Sequence, residues 1–323
     1  MEASVRPAPI LVTGARGYLG GRLVRYLADR GRAVRGTSRS DKPPPPGWPA
    51  TVPLTKLDPL ADPGAAAAAL AGIGTVIHLA AANEGRSASE PDAALAETGS
   101  GTRRLVEAAV AAGVPRFIFL STIHVYGAPL RGFLSETEPV RPIHPYAITH
   151  QVGEAFTLAA RDAGRIEAAV VRLSNAIGAP AWIGVDRWTL VGNDLARQAV
   201  ETGEIVVRTP GQWRDFIALP DVCAGLERIA DAPAERLQDG IVNLGSGTTC
   251  RVDDIAARLA CVAERALGRP IALRVPGSPP GGPPDPPFAL SIDRLRALGF
   301  TPSGFDNLDD ELCATIRLLS ARA

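Results

Sequence analysis

Residues able to do chemistry gather in two stretches of this 323-residue sequence. The first, ILVTGARGYLGGRLVRYL, sets Gly14, Gly17 and Gly20 between an apolar run and an amphipathic one, with Tyr18 and Leu19 among them. A G-x-x-G-x-x-G spacing at a strand-to-helix turn suits a dinucleotide. Gly14 permits the tight turn, Gly17 lets backbone approach a pyrophosphate, and Gly20 lets the helix pack on the strand. The free N–H groups of the helix start then face the anion. The second stretch opens where FIFLST ends an apolar run in Ser121 and Thr122, and resumes at HPYAITHQVGE. Tyr146 and His150 stand four apart there, so on a helix they share one face, about 6 Å apart along the axis. An unperturbed phenol, near pKa 10, is a poor base at pH 7 and needs a nearby cation to act as one.

The end of the second strand bears on which dinucleotide is taken. A carboxylate there suits the ribose 2′-hydroxyl of NAD, whereas an arginine accommodates the 2′-phosphate of NADP. In AVRGTSRSD the place is held by Ser38 and then Arg39, which favours NADP over NAD. Arginine is abundant throughout, however. Lys42 and Lys56 are the only lysines among 34 basic residues, an imbalance that a GC-rich coding bias explains for most of the chain.

These residues need a scaffold, and the first half alternates strand and helix patterns. Strands are expected at Ile10–Thr13, Ala33–Thr37, Val52–Leu57, Thr75–Ala81 and Phe117–Thr122. Helices are expected at Tyr18–Arg30, Ala61–Ala71 and Pro91–Ala112. Such alternation implies a doubly wound parallel sheet covered on both faces, an α/β Rossmann architecture. In the second half the pattern predicts helices at Tyr146–Arg161, Arg187–Glu201, Asp253–Leu267, Ile292–Leu298 and Leu308–Leu319. Strands are predicted at Ala168–Ile177, Ile205–Val207, Phe216–Leu219 and Ile241–Leu244. Pro276–Pro287 reads as a surface loop.

Composition narrows the function classes. The formal net charge is +0, without the basic excess that phosphate-backbone binding requires, so no nucleic-acid partner is expected. No stretch approaches 18 unbroken apolar residues, so no membrane partner is expected. The four cysteines form no Cys-x-x-Cys pair, which argues against a zinc site or disulfide framework and for a cytoplasmic setting. No metal is expected.

TGARGYLG, VIHLAA (Val76–Ala81), the Ser/Thr-then-Tyr arrangement, SNAIG (Ser174–Gly178), RDFIALPDV (Arg214–Val222), NLGSG (Asn243–Gly247) and SIDRLRALGFTP run in an order that resembles the extended short-chain dehydrogenase/reductase superfamily. Within it the chain is similar to NAD(P)-dependent sugar epimerase/dehydratases over nearly its whole length. The resemblance implies that Thr122, Tyr146 and the residue four beyond move a proton while nicotinamide moves a hydride. It further implies cofactor contacts from Gly14, Gly17, Tyr18, Leu19, Gly20, Ser38, Arg39, Asp58, Leu79, Ala80 and Ala81, with Tyr146 and His150. Substrate contacts would come from Thr122, His124, Asn175 and Arg214, the last two on a diphosphate. Arg187 and Trp188 are further candidates for the same pocket.

The sequence departs from the family pattern at three places. Y-x-x-x-K becomes Y-x-x-x-H at His150, and neither lysine lies where it can substitute. Either His150 takes the lysine's role, giving a basic pH optimum or a dependence on imidazolium near pH 6–7, or the proton chemistry is altered. Thr98 stands where N-x-x-G-T has asparagine, which puts the cofactor side of the sheet in question. Ile123 and His124 replace the acidic pair of 4,6-dehydratases, against that elimination. The resemblance implies a Rossmann domain over residues 1–176 plus about 214–247, and a smaller C-terminal substrate domain over 177–213 and 248–323. It also implies a homodimer joined by a four-helix bundle of Pro91–Ala112 and Tyr146–Arg161. The expected function is epimerisation of a nucleotide sugar through a keto intermediate. The alternatives are an NADP-dependent ketone or aldehyde reductase of secondary metabolism and a catalytically weak dinucleotide sensor.

Overall fold

A computed structural model describes residues 8–277 and 287–321. Most of the loop expected over Pro276–Pro287 lies outside them. Strand β1 (Ile10–Thr13) enters α1 (Tyr18–Asp29) through the glycine turn, followed by β2 (Val34–Ser38), β3 (Leu54–Lys56), α2 (Pro63–Leu70) and β4 (Thr75–His78). Next come α3 (Glu84–Ser89), α4 (Pro91–Ala94), a π-helical stretch Leu95–Ser100 and α5 (Gly101–Ala111). The helix expected over Pro91–Ala112 is thus three segments, because Leu95–Ser100 is overwound outward into i→i+5 pairing. Then follow β5 (Arg116–Thr122), a 3₁₀ turn Ile123–Tyr126, β6 (Gly132–Leu134), α6 (Pro145–Asp162) and β7 (Glu167–Leu173).

The single strand expected over Ala168–Ile177 breaks at Ser174. The Ser174 amide still donates to the Leu244 carbonyl, but its hydroxyl donates to Asp215, turning the chain out of the sheet into β8 (Asn175–Ile177). The second half continues with α7 (Val191–Glu201), β9 (Glu204–Val206), β10 (Trp213–Ala218), α8 (Leu219–Asp231), β11 (Ile241–Leu244) and β12 (Thr249–Arg251). It closes with α9 (Val252–Leu267), β13 (Ala272–Arg274), β14 (Phe288–Leu290), α10 (Asp293–Ala297) and α11 (Phe305–Ser320). Helix α7 begins at Val191, not Arg187, because Leu190 has extended backbone angles.

Seven strands form one parallel sheet in the order β11-β7-β5-β4-β1-β2-β3. Its central strands are buried on both faces, which is why they read as unbroken Val/Ile/Leu runs. One face packs Leu23, Val24 and Leu27 of α1 with Val222, Leu226 and Ile229 of α8. The other packs Leu70 of α2 and Leu105 of α5 against Phe117 and Phe119. The stretch expected to return to the sheet over Phe216–Leu219 does not: β10 pairs with β8 and β12 in a separate three-stranded sheet, whereas β11 joins the main sheet beside β7. A second core joins α7, α9 and α11 through Leu195, Leu259 and Leu312.

Helix α6 is bound to the sheet by a buried ion pair. Pro145 at its first turn is preset for helix, and His144 caps it, its Nδ1 accepting from the Ala147 amide. At Gly153 a Cβ would meet the Phe119 ring at 2.6 Å, so glycine sets the close approach to β5. One residue on, Glu154 accepts from Arg172 Nη2 on β7 at 2.8 Å and from Ser121 Oγ on β5 at 2.5 Å. Both members of the pair are 4% exposed. A buried charge stripped of its partner costs about 3–5 kcal/mol, whereas replacing both by apolar groups is often neutral. Glu154→Ala and Arg172→Met should therefore each lower the urea midpoint sharply, while the double variant Glu154→Leu/Arg172→Met loses less than either; equal and additive losses would contradict this account.

Candidate functional site

The glycine turn folds against the end of β4. Gly14 has φ 64°, a conformation glycine adopts freely, and a Cβ there would sit 3.0 Å from the Ala80 backbone. A Cβ at Gly20 would lie 2.2 Å from the Gly14 carbonyl oxygen, so no other residue lets α1 start so close to the turn. The Thr13 hydroxyl accepts the amides of Leu79 and Ala80 and donates to His78 Nδ1 at 2.7 Å. His78 Nε2–H then donates to Thr102, which donates to the Thr98 carbonyl. Burial pushes His78 down to about 3, so this chain of bonds runs through a neutral ring. Thr98 itself accepts the Ala82 amide at 3.0 Å. The hydroxyl thus ties the β4 end in place, and the asparagine's absence does not leave that loop loose.

Two cavities meet across this turn. One, about 450 Å³, is lined by Gly17, Ser38, Arg39, Asp58 and Ala80. The other, about 460 Å³, is lined by Tyr18, Leu19, Gly20, Thr122, His124, Tyr146, His150 and Asn175; Gly14, Leu79 and Ala81 border both. Asp58 also caps its own turn, accepting the Leu60 amide at 2.9 Å. Arg39 pairs with Glu97 at 2.7 Å, and Arg86 holds the same carboxylate. Tyr18 donates to the Gly178 carbonyl, fastening α1 to the loop after β8. Small residues at the turn and glycines that leave no room for a Cβ make a groove that fits a dinucleotide across both cavities.

At the C-terminal end of β5, Thr122, Tyr146 and His150 converge. The Thr122 hydroxyl hydrogen-bonds the Tyr146 phenol, and the Tyr146 and His150 rings lie 4.3 Å apart. His150 Nδ1 donates to the Tyr146 carbonyl at 2.8 Å, leaving Nε2 as an acceptor in the neutral ring. Burial pushes His150 down to about 4, against the Tyr146 carbonyl and Glu84, which favour its cation. The imidazolium considered near pH 6–7 is therefore not the form held here. Tyr146 opens partly onto the cavity, yet burial and then the Glu84 carboxylate push its phenol above the ordinary value, opposed by Arg187 and Thr122.

On the substrate side, His124 separates the main cavity from a third of about 470 Å³, lined by His144, Gln212, Trp213 and Arg214. Burial and then Arg214 push His124 down to about 4. Arg214 donates to Gln212, and Asn175 donates to the Asp215 carbonyl at 2.9 Å. Asn175 and Arg214 thus face different cavities. Arg187 lines the main cavity and pairs with Glu84 at 3.0 Å, whereas Trp188 packs against the α7–α9–α11 core. Sequence reading missed Glu84, Glu97 and Glu154. Glu154 lay within reach of it, being four residues beyond His150 on the same helical face. Glu84 follows Asn83, which caps a helix too short for a periodic signal.

Comparison with known proteins agrees with this arrangement. The NAD dependent epimerase/dehydratase family matches the chain over residues 10–245. A dTDP-6-deoxy-L-talose 4-dehydrogenase (NAD(P)(+)) of Kitasatospora kifunensis is 29% identical over 309 residues, 92% of this chain and 91% of that protein. Among solved structures, MoeE5 in complex with UDP-glucuronic acid and NAD is 26% identical, with a TM-score of 0.77 over 98% of this chain and 100% of the other. The UDP-N-acetylglucosamine 4-epimerase of Methanobrevibacter ruminantium M1, 20% identical, shares the fold at a TM-score of 0.81 over 99% and 100% of the two chains.

Three buried neutral histidines set an acid limit on stability. For His78, His124 and His150 the folded value lies below the unfolded 6.5, so the unfolded chain binds more protons as pH falls. Their contribution is complete above about pH 6.5 and is lost downward toward 4, by up to about 1.4 kcal/mol per pH unit for each. The melting temperature should be level from pH 8 to 7 and fall steeply from pH 6 to 4.5; a level profile through that window contradicts neutral burial.

Proposed function

The chain is an enzyme of the NAD-dependent epimerase/dehydratase family, and on that premise we propose that it inverts a carbinol centre of a nucleotide sugar through a transient ketone. The observation that carries this reading is the convergence of Thr122, Tyr146 and His150 on a cavity that runs to the glycine turn. When bound, the nicotinamide accepts a hydride and returns it. Tyr146 takes the proton of the sugar hydroxyl and gives it back, and Thr122, bonded to the phenol, orients the same oxygen. His150 takes the place of the family's lysine: its Nε2 accepts a hydrogen bond from a ribose hydroxyl but brings no charge. Asn175, His124 and Arg214 hold the rest of the substrate, the guanidinium suiting a diphosphate. Relatives named for dTDP and UDP sugars support that class.

NADP is the preferred cofactor in this reading, because Ser38 and Arg39 leave no carboxylate at the end of β2 to meet a 2′-hydroxyl. A relative named for NAD(P)(+) supports tolerance of both. The Rossmann part spans 1–176 with about 214–247, the remainder forming the substrate part. Exposed Leu95, Ile148 and Phe156, on the π-helical stretch and α6, support a homodimer through those helices. The four free cysteines support a cytoplasmic setting.

One observation favours a second reading, an NADP-dependent ketone reductase. Burial and Glu84 favour the protonated form of Tyr146, which suits donating a proton to a forming alkoxide. Purified enzyme incubated with UDP- and dTDP-hexoses and either NAD or NADP should yield an epimer by NMR without net change in reduced cofactor. Consumption of one equivalent per turnover identifies the reductase, and no turnover of any nucleotide sugar overturns both readings of substrate. A fixed charge at position 150 lowers the phenol's pKa, so His150→Lys should move the acidic limb of the kcat/KM profile down by about one to two pH units. An identical profile would show that position 150 does not govern Tyr146.

A further inference from the structure

We propose that Arg187, reaching into the main cavity from the loop before α7 with Glu84 as its counter-ion, supplies the fixed positive charge that lets Tyr146 ionise. A phenol removes a proton near neutral pH only where a cation stabilises its phenolate. The groups around Tyr146 can be taken element by element. On α6, His150 is committed through Nδ1 to a carbonyl and is neutral, and His144 spends its Nδ1 on the Ala147 amide. From β5 and the turn after it come the uncharged Thr122 hydroxyl and the neutral ring of His124, which itself faces Arg214 of β10. From α3 comes the Glu84 carboxylate, and from the loop before α7 the Arg187 guanidinium.

Glu84 and Arg187 are the charged side chains that act on the phenol, in opposite senses. Arg187 is held by the fold. Its guanidinium meets Glu84 at 3.0 Å, and its carbonyl accepts from Asn193 of α7 at 3.0 Å. Asn193 also hydrogen-bonds Tyr18, which is fastened to Gly178. The cation is thus fixed relative to the phosphate turn and to the catalytic helix at once. A guanidinium is always charged, so unlike an imidazole it keeps this field at every working pH. Arg187 acts through Tyr146 and need not touch the reacting carbon. With Glu84 ionised beside it the field is partly cancelled, so Glu84 sets how strong the phenol's acidity becomes.

The inference rests on Tyr146 as the proton-moving group, but its test needs no sugar. NAD-saturated protein is titrated at the phenolate absorbance band, each variant being referenced to the same background carrying Tyr146→Phe, with circular dichroism confirming folded protein at each pH. Glu84→Gln should lower the Tyr146 midpoint by about one to two pH units. Adding Arg187→Gln to that variant should raise it again, and adding Arg187→Lys, which keeps the charge, should leave it low. His150→Lys placed in the Glu84→Gln/Arg187→Gln background should lower it once more. If Glu84→Gln and Glu84→Gln/Arg187→Gln share one midpoint, Arg187 is not the source of the charge and the proposal fails. A shift found in protein that turns over no nucleotide sugar leaves this inference standing and defeats the proposed function instead.

Discussion

Glu154 places a negative charge in the interior, where β5, β7 and α6 meet, and much of the site's geometry follows from satisfying it. Its oxygens are bonded by Arg172 and Ser121, and the Arg172 guanidinium lies over the Tyr126 ring, 4.8 Å from its centre. Tyr126 in turn donates to Asn243 of β11, whose amide donates to Glu136. A charge in low dielectric tolerates little displacement, because its hydrogen bonds must be kept. With Gly153 pressed on Phe119, this fixes both the height and the rotation of α6. Tyr146 lies eight residues earlier, about 12 Å along the axis. It arrives beside Thr122 because the helix is anchored at Glu154.

The electrostatic character of the site comes from two kinds of basic group. All four histidines line its cavities: His78 in one, His124 and His150 in the next, His144 in the third. The three with lowered values are buried, which favours the neutral ring and makes them hydrogen-bonding parts. Charge that persists with pH is left to arginine, at Arg39, Arg187 and Arg214. Each has an acceptor, Glu97, Glu84 or Gln212, so the cavities combine fixed cations with partners that hold them in place.

The Rossmann half was legible from sequence because its signals are local. A strand buried on both faces is an apolar run whatever its neighbours, and the glycine turn is written in consecutive residues; β1, β5 and the start of α1 fall within a residue of expectation. Legibility failed where long-range partners decide. Nothing in Ala168–Ile177 announces that Ser174 will turn the chain toward Asp215, nor does Phe216–Leu219 reveal that its strand pairs with β8 rather than the main sheet. The π-helical stretch likewise lies inside a pattern that reads as uniform helix.

For the site, the residue types alone determined the dinucleotide turn, the shared face of Tyr146 and His150, and the loss of lysine at position 150, since each depends on spacing within one element. Tertiary structure decided that His150 is neutral, that Arg39 is engaged by Glu97, and that Glu84 and Arg187 face the phenol. Those outcomes depend on burial and on charges brought together from β2, the π-helical stretch, α3 and the loop before α7. Protonation is set by the groups that surround a side chain in space, and spacing along the chain carries no record of them.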